Sequence, residues 1–305
     1  MIGHPIAESL RGALASVGLD PDAVVDLIAR ALAEDLGGGE DVTTVSTVPD
    51  DQRSRATFGA RGAGCVAGLD VAAAVIGTVC GPGATFHASV HDGDRVAAGT
   101  VLATVEAPTR SLLTAERTAL NLFCHLSGVA TATAAWVDAI AGTGAVVRDT
   151  RKTTPGLRAL EKYAVRCGGG QNHRMSLSDA ALVKDNHIAA AGGVRGAFAA
   201  VRARAAHLPI EIEVDDLDQL REAIDAGADL VLLDNMSPTK LREAVAIAAS
   251  HRDATGRKVL LEASGGLSLA TARAVARTGV DFISVGALTH SSPILDIGLD
   301  LVTVR

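Results

Sequence analysis

IEIEVDDLDQLREAIDAGADLVLLDNMSPTKLREAVAIAASHRDATGRKVLLEASGG, residues 210–266, decides the fold. Three apolar runs of strand length, IEIEVD, DLVLLDN and KVLLEASGG, alternate with two helix-like segments, DDLDQLREAIDAG and SPTKLREAVAIAAS. Nearly continuous apolar strands separated by amphipathic helices imply a parallel sheet covered by helices. The spacing from strand to strand is that of a βαβ unit.

The pattern extends in both directions. AVVRDT and ALVKDN precede it, and SLATARAVARTG and DFISVGA follow, so an α/β domain with about six strands begins near residue 145. Each run ends in polar or glycine residues: Arg151-Lys152, Lys184-Asp185, Glu213, Asp234-Asn235, Glu262-Ser264-Gly265-Gly266 and Gly286. In a (β/α) barrel such strand ends converge on one mouth, where the chemistry sits. No G-x-G-x-x-G follows a strand, which disfavours a dinucleotide-binding fold. Six strands fall short of eight, so the barrel is expected to be incomplete.

The first 130 residues read differently. Residues 22–36 have helical spacing, and GGG at 37–39 ends that helix. Short strand-like runs follow, RATFGARGAGCVAG, ATFHASVHDGDRV and TVLATVEAP. VHDGDRVAAGTVLATVEAP (90–108) resembles the hairpin of a biotinyl or lipoyl carrier, but it has no carrier lysine and reads as scaffold. TRSLLTAERTALNLFCHLSGVATATAAWVDAIAG reads as a long helix with a break expected near Ser127-Gly128.

Charge narrows the function. Residues 148–187 carry eight Lys and Arg against four acids, a formal +4 inside a chain of −7. A basic segment with glycine runs in an acidic protein points to a local site for a small, multiply negative ligand. The overall negative charge argues against duplex DNA. At 2% aromatic, the chain lacks stacking platforms for single strands, and its core must be Ala, Val, Leu and Ile. The four cysteines, Cys65, Cys80, Cys124 and Cys167, have no zinc spacing and read as buried free thiols of a reducing cytosol. There is no signal-peptide pattern and no run of about 18 uninterrupted apolar residues. A cytoplasmic enzyme is expected.

Arg151, Lys152, His173, Arg174 and Lys184 are the candidate anion ligands, since Arg offers a planar fork and Lys a point charge. Arg158, Lys162 and Arg166 fit ordinary solvated helix charge. Gly168-Gly169-Gly170, just before Gln171-Asn172-His173-Arg174, suits backbone close to a ligand. Ser264-Gly265-Gly266 lies between a strand and a helix, and Gly286 ends the final strand. Paired glycine loops of this kind bind phosphate through backbone N–H groups. Glu213 and Asp234 end adjacent strands. They suit Mg²⁺, which takes oxygen ligands, or a positively charged oxocarbenium-like transition state.

The runs DTRKTTPGLRALEKYAVRCGGGQNHR (149–174), LVKDNHI, EIEVD, LVLLDNMSP, LEASGGL and ISVGALTHS closely resemble the quinolinate phosphoribosyltransferase family. DVTT (41–44), CVAGLDV (65–71) and LLTAERTALNLFCHLSG (112–128) match as well, so the resemblance runs from about residue 30 to the C-terminus. It implies an N-terminal α/β sandwich, here residues 1–128 joined by 288–305, and an incomplete α/β barrel, residues 129–287. It implies joining of quinolinate to 5-phosphoribosyl-1-pyrophosphate with loss of CO₂, in de novo NAD synthesis, with Mg²⁺. It also implies a dimer or multiple of dimers in which an arginine, here Arg117, enters the neighbour's site. Carried over by residue, Arg151, Lys152, His173, Arg174 and the partner's Arg117 would meet the quinolinate carboxylates, with Thr150 nearby. Lys184 would lie between the two substrates, Glu213 and Asp234 would face ribose and metal, and Ser264, Gly265, Gly266, Val285, Gly286 and Ala287 would hold the 5-phosphate. Three other readings are a phosphoribosyltransferase for a related pyridine such as nicotinate, a Schiff-base aldolase using Lys152 or Lys184, and a non-catalytic binding protein.

Overall fold

The computed structural model describes residues 3–304, which form two compact units. One takes the chain through Ala132, the segment Thr154–Gly169 and the chain from Ser291; the other takes Thr133–Thr153 and Gly170–His290.

The first unit is an antiparallel sheet with helices. Its four strands run in the order Ile297–Val304, Arg53–Ala60, Val101–Pro108, Thr85–Ala88. Arg53–Ala60 alternates as a half-buried strand must: Ser54, Ala56, Phe58 and Ala60 point inward. The scarce aromatics concentrate here, with Phe58 5.9 Å from Phe123 and 6.0 Å from Phe86. The helix expected at 22–36 spans Pro21–Leu36. Asp20 caps its start by accepting from Asp22 N at 3.0 Å, Pro21 opens it, and Gly37 (φ 57) closes it.

The long helix does not break at Ser127-Gly128; it runs unbroken over Thr109–Ala139. Gly128 is there for close packing, not for a bend. A Cβ on it would lie 2.2 Å from Pro293 O and 2.7 Å from Ile294 Cα. Ser127 Oγ bridges to Ala67, donating to its carbonyl and accepting from its N–H, both at 3.1 Å. Gly128→Ala is therefore expected to cost about 1–3 kcal/mol by overpacking, read as a lower melting temperature; an unchanged melting temperature would contradict this packing. By length and composition this helix could cross a membrane, but 67% of its apolar window is buried within the protein.

Lys162 departs from its reading as solvated charge: its side chain and that of Glu161 are fully buried. The helix Arg158–Cys167 belongs to the first unit and is clamped there from several sides. Glu161 takes His125 Nε2 at 2.9 Å and Thr154 N at 3.0 Å. Tyr163 donates to Asp92 at 2.6 Å, and Asp92 also accepts the Gly68 and Leu69 N–H groups that open the helix Leu69–Cys80. Burial and the Asp92 charge push the Tyr163 phenol well up. All four cysteines are free thiols.

The second unit is a six-stranded parallel sheet with helices between its strands, an incomplete α/β barrel. All six runs quoted from the sequence form strands: Val146–Arg148, Ala181–Val183, Ile210–Val214, Leu230–Asp234, Leu260–Ser264 and Phe282–Ser284. The last four pair in sequence, and Phe282–Ser284 returns to pair with Val146–Arg148. The first two strands, Val146–Arg148 and Ala181–Val183, are the two sheet edges, so a seam remains between them. Beside the first of these edges, Arg148 makes a strand-like contact with Gln171, and Asp149 accepts from Asn172 and His173.

Candidate active site

Side chains alternate along a strand, so residues two apart share a face. On that basis the barrel interior has two levels. Thr150, Lys184, Glu213, Asp234, Ser264 and Gly286 stand at the C-terminal ends. Arg148, Leu182, Glu211, Leu232, Glu262 and Ser284 stand two residues earlier on the same strands.

The upper level surrounds a cavity of about 600 Å³. Of the residues selected from the sequence, Thr150, Arg151, Lys152, His173, Arg174, Lys184, Glu213, Asp234, Ser264, Gly265 and Gly266 all line it. Leu182, Leu232, Glu262 and Ser284 contribute to its wall from the lower level. Val285, Gly286 and Ala287 are not in the lining. Val285 is buried, and its N–H donates to Arg148 O at 2.9 Å. Gly286 nonetheless abuts the site, because a Cβ there would come 3.0 Å from Lys152 Cδ. Arg117 is exposed on the helix Thr109–Ala139 and is not among the lining residues.

Basic residues gather at the seam. Arg151 and Lys152 follow the first strand, and His173 and Arg174 come before the second. Arg174 Nη1 donates to Ala180 O at 3.1 Å. Burial and then the charge of Arg151 pull the Arg174 guanidinium down. Arg151 Nε is buried with no hydrogen-bond partner among the described residues. Two guanidiniums that repel each other across a cavity, one with an orphaned donor, define a place for an anion.

Opposite charges follow around the sheet. Lys184 Nζ donates to Glu213 Oε2 at 2.6 Å, with Glu213 mostly buried. Asp234 Oδ2 accepts Asn235 Nδ2 at 2.6 Å. Glu213 Oε1 and Asp234 Oδ1 have no bonded partner among the described residues. Asn235 holds a left-handed backbone (φ 52), and its N–H donates to Ser264 O at 2.9 Å. Gly265 (φ +86) is needed here, since a Cβ on it would lie 2.2 Å from Asn235 Oδ1. The N–H groups of Gly265 and Gly266 have no protein acceptor among the described residues. Ser268 then caps the helix Leu269–Ala276 with Thr271. A glycine turn of this kind running into a helix start suits a phosphate.

The lower level was not anticipated as a charged layer. Glu262, read as part of a polar strand end, lies inside its strand and is fully buried. It accepts Arg148 Nη1 at 2.8 Å and a very short bond from Ser284 Oγ. Burial, then the charge of Glu211, pushes the Glu262 carboxyl up. Arg148 also stacks on Phe282, 3.4 Å from the ring centre. Glu211, 3% exposed, accepts His173 Nε2 at 2.7 Å, and Glu262 lies 3.6 Å from the same nitrogen. His173, Glu211 and Glu262 place ligand-type atoms within 4.8 Å of one another, and Arg148 sets a positive charge against the same cluster. The sequence signal for this layer was an acid two residues before a selected site residue: Glu211 before Glu213, Glu262 before Ser264.

An open α/β barrel whose mouth joins a cation cluster, two carboxylates and a glycine turn is the site of an enzyme acting on small phosphorylated and carboxylated molecules. The comparisons with known proteins narrow this class. Residues 41–127 match the family model of the quinolinate phosphoribosyl transferase N-terminal domain, and residues 129–300 that of its C-terminal domain. The chain is 54% identical over 281 residues to nicotinate-nucleotide pyrophosphorylase (carboxylating) of Mycobacterium leprae, covering 92% of this chain and 98% of that one. It is 41% identical to the probable enzyme of that name from Synechocystis, covering 93% and 95%. The solved nicotinate-nucleotide pyrophosphorylase from Francisella tularensis superposes with a TM-score of 0.85 at 39% identity, over 92% of this chain and 96% of that one. The chain belongs to the quinolinate phosphoribosyltransferase family.

Proposed function

We propose that the enzyme transfers the phosphoribosyl group of 5-phosphoribosyl-1-pyrophosphate to quinolinate with decarboxylation. The products are nicotinate mononucleotide, CO₂ and pyrophosphate, in NAD biosynthesis. The observation that carries this reading is the sorting of charge around one cavity: Arg151, Lys152 and Arg174 at the seam, and Ser264, Gly265 and Gly266 further round the sheet. That order suits a dicarboxylate at the seam and a 5-phosphate at the glycine turn. Leu182 and Leu232 offer apolar wall for a pyridine ring.

Holding the two reactants in line turns a bimolecular step into a local one. The pyridine nitrogen attacks the anomeric carbon as pyrophosphate leaves. Glu213 and Asp234 stabilise positive charge growing on the ribose, and Lys184 offsets negative charge between the substrates. Once the nitrogen is quaternary, the ring cation stabilises the electron pair left at C2, so the adjacent carboxylate departs as CO₂ and C2 then takes a proton from solvent water. No protein nucleophile is required. Lys184 Nζ lies 2.6 Å from Glu213 Oε2, which holds it at the cavity wall.

Glu213 and Asp234 fit a hard cation, because each keeps one carboxylate oxygen free of protein partners at the cavity. Mg²⁺ held there would neutralise pyrophosphate charge. The enzyme works in the cytoplasm as a homodimer or a multiple of dimers, and the partner's Arg117 completes the dicarboxylate site; its exposure on the long helix suits that role.

Gly265→Ala is expected to raise KM for 5-phosphoribosyl-1-pyrophosphate roughly tenfold, about 1.4 kcal/mol, because its methyl displaces Asn235 from the phosphate turn. KM for quinolinate should stay unchanged in steady-state assays; equal rises in both would contradict the division of the cavity. The reading itself is tested by supplying quinolinate or nicotinate with 5-phosphoribosyl-1-pyrophosphate and Mg²⁺. Nicotinate mononucleotide from quinolinate alone supports it, and product from nicotinate alone overturns it.

A further inference from the structure

Neither ring nitrogen of His173 is left for a substrate. Nε2 is 2.7 Å from Glu211, and Nδ1 accepts the N–H of Arg174 at 2.7 Å. The ring proton therefore sits on Nε2 and is given to Glu211. On the other side of the backbone, buried Asp149 accepts His173 N at 2.9 Å and Asn172 Nδ2 at 2.6 Å. The residues 172–174 are thus held between two buried carboxylates. Of the three, His173 and Arg174 reach the cavity, and Arg174 brings the guanidinium.

We propose that Glu211 is a positioning residue for the dicarboxylate site: through the His173 ring it fixes the backbone of Arg174, and so the direction of that guanidinium. Glu211 has an otherwise unexplained place. It is almost wholly buried, its Oε1 has no hydrogen-bond partner among the described residues, and it does not line the main cavity. A carboxylate so placed is costly, and hydrophobic packing would stabilise the barrel at least as well. Its one strong contact is to the ring that meets the Arg174 N–H. Glu262, tied to Arg148 and Ser284, lies 3.6 Å from the same ring nitrogen. His173 in turn acts by orienting Arg174 and not by a hydrogen bond of its own to the ligand.

The inference rests on the quinolinate reading, and a double-mutant cycle separates the two. Turnover of quinolinate by the unaltered enzyme tests the reading alone. Glu211→Gln, which keeps the side chain's size, is then compared with His173→Gln and with the pair. The expected result is a rise of about tenfold in KM for quinolinate for Glu211→Gln, with KM for 5-phosphoribosyl-1-pyrophosphate and the melting temperature nearly unchanged. In the His173→Gln background the same change should add less than about twofold. Equal effects in both backgrounds, or a loss spread over both substrates and the melting temperature, would overturn the assignment. If Glu211→Gln does not fold, Glu211→Asp takes its place in the cycle, with the same result expected and the same results overturning it.

Discussion

Arg174→Ala is expected to raise KM for quinolinate by roughly 10- to 150-fold, the loss of one charge-assisted contact worth about 1.5–3 kcal/mol. The fold should survive, because the one protein hydrogen bond given up is that from Nη1 to Ala180 O, near the cavity surface. The charge of Arg151 already pulls Arg174 down across the cavity. Each guanidinium therefore gains from an anion between them, and the loss of either should be felt most by the doubly charged ligand. Calorimetry gives the same quantity without catalysis. Quinolinate affinity within a factor of two of the unaltered enzyme would remove Arg174 from the site.

Lys184→Ala is expected to act on kcat instead. Lys184 Nζ sits 2.6 Å from Glu213, and both line the cavity. Removing a preorganised charge from the place where charge develops costs on the order of 10²–10³ in rate. The change also leaves Glu213 without its counter-ion, so a restored partner matters: Lys184→Arg should recover part of the rate and Lys184→Ala none. Rapid-quench measurement of a single turnover separates chemistry from product release. A variant whose only change is a higher KM for quinolinate would place Lys184 among the binding groups.

The sequence made the barrel legible because its strands are buried on both faces. Such strands read as continuous apolar runs, and all six appear where the runs stand. The mouth was legible for the same reason: a polar residue directly after an apolar run is conspicuous. The lower level was not. Glu211 and Glu262 interrupt strands where burial favours an apolar residue, and their role emerges only when His173 and Arg148 are brought against them from other segments. Lys162 misled because helical spacing cannot tell a solvated face from one packed against distant segments of the chain; its burial depends on contacts of Glu161 and Tyr163 made 36 and 71 residues away in sequence. Gly128 misled in the opposite sense. Glycine lowers helix propensity, but here tertiary packing against Pro293 outweighs the cost, and the helix continues.

At the centre of this mechanism, one cavity joins the two substrates and then expels the carboxylate next to the ring nitrogen. Quinolinate labelled with ¹⁴C in the 2-carboxyl group, incubated with the enzyme, 5-phosphoribosyl-1-pyrophosphate and Mg²⁺, tests it most directly. Labelled CO₂ and pyrophosphate are expected in equal amounts, with unlabelled nicotinate mononucleotide formed alongside. Label retained in the nucleotide, or CO₂ released without 5-phosphoribosyl-1-pyrophosphate, would contradict it.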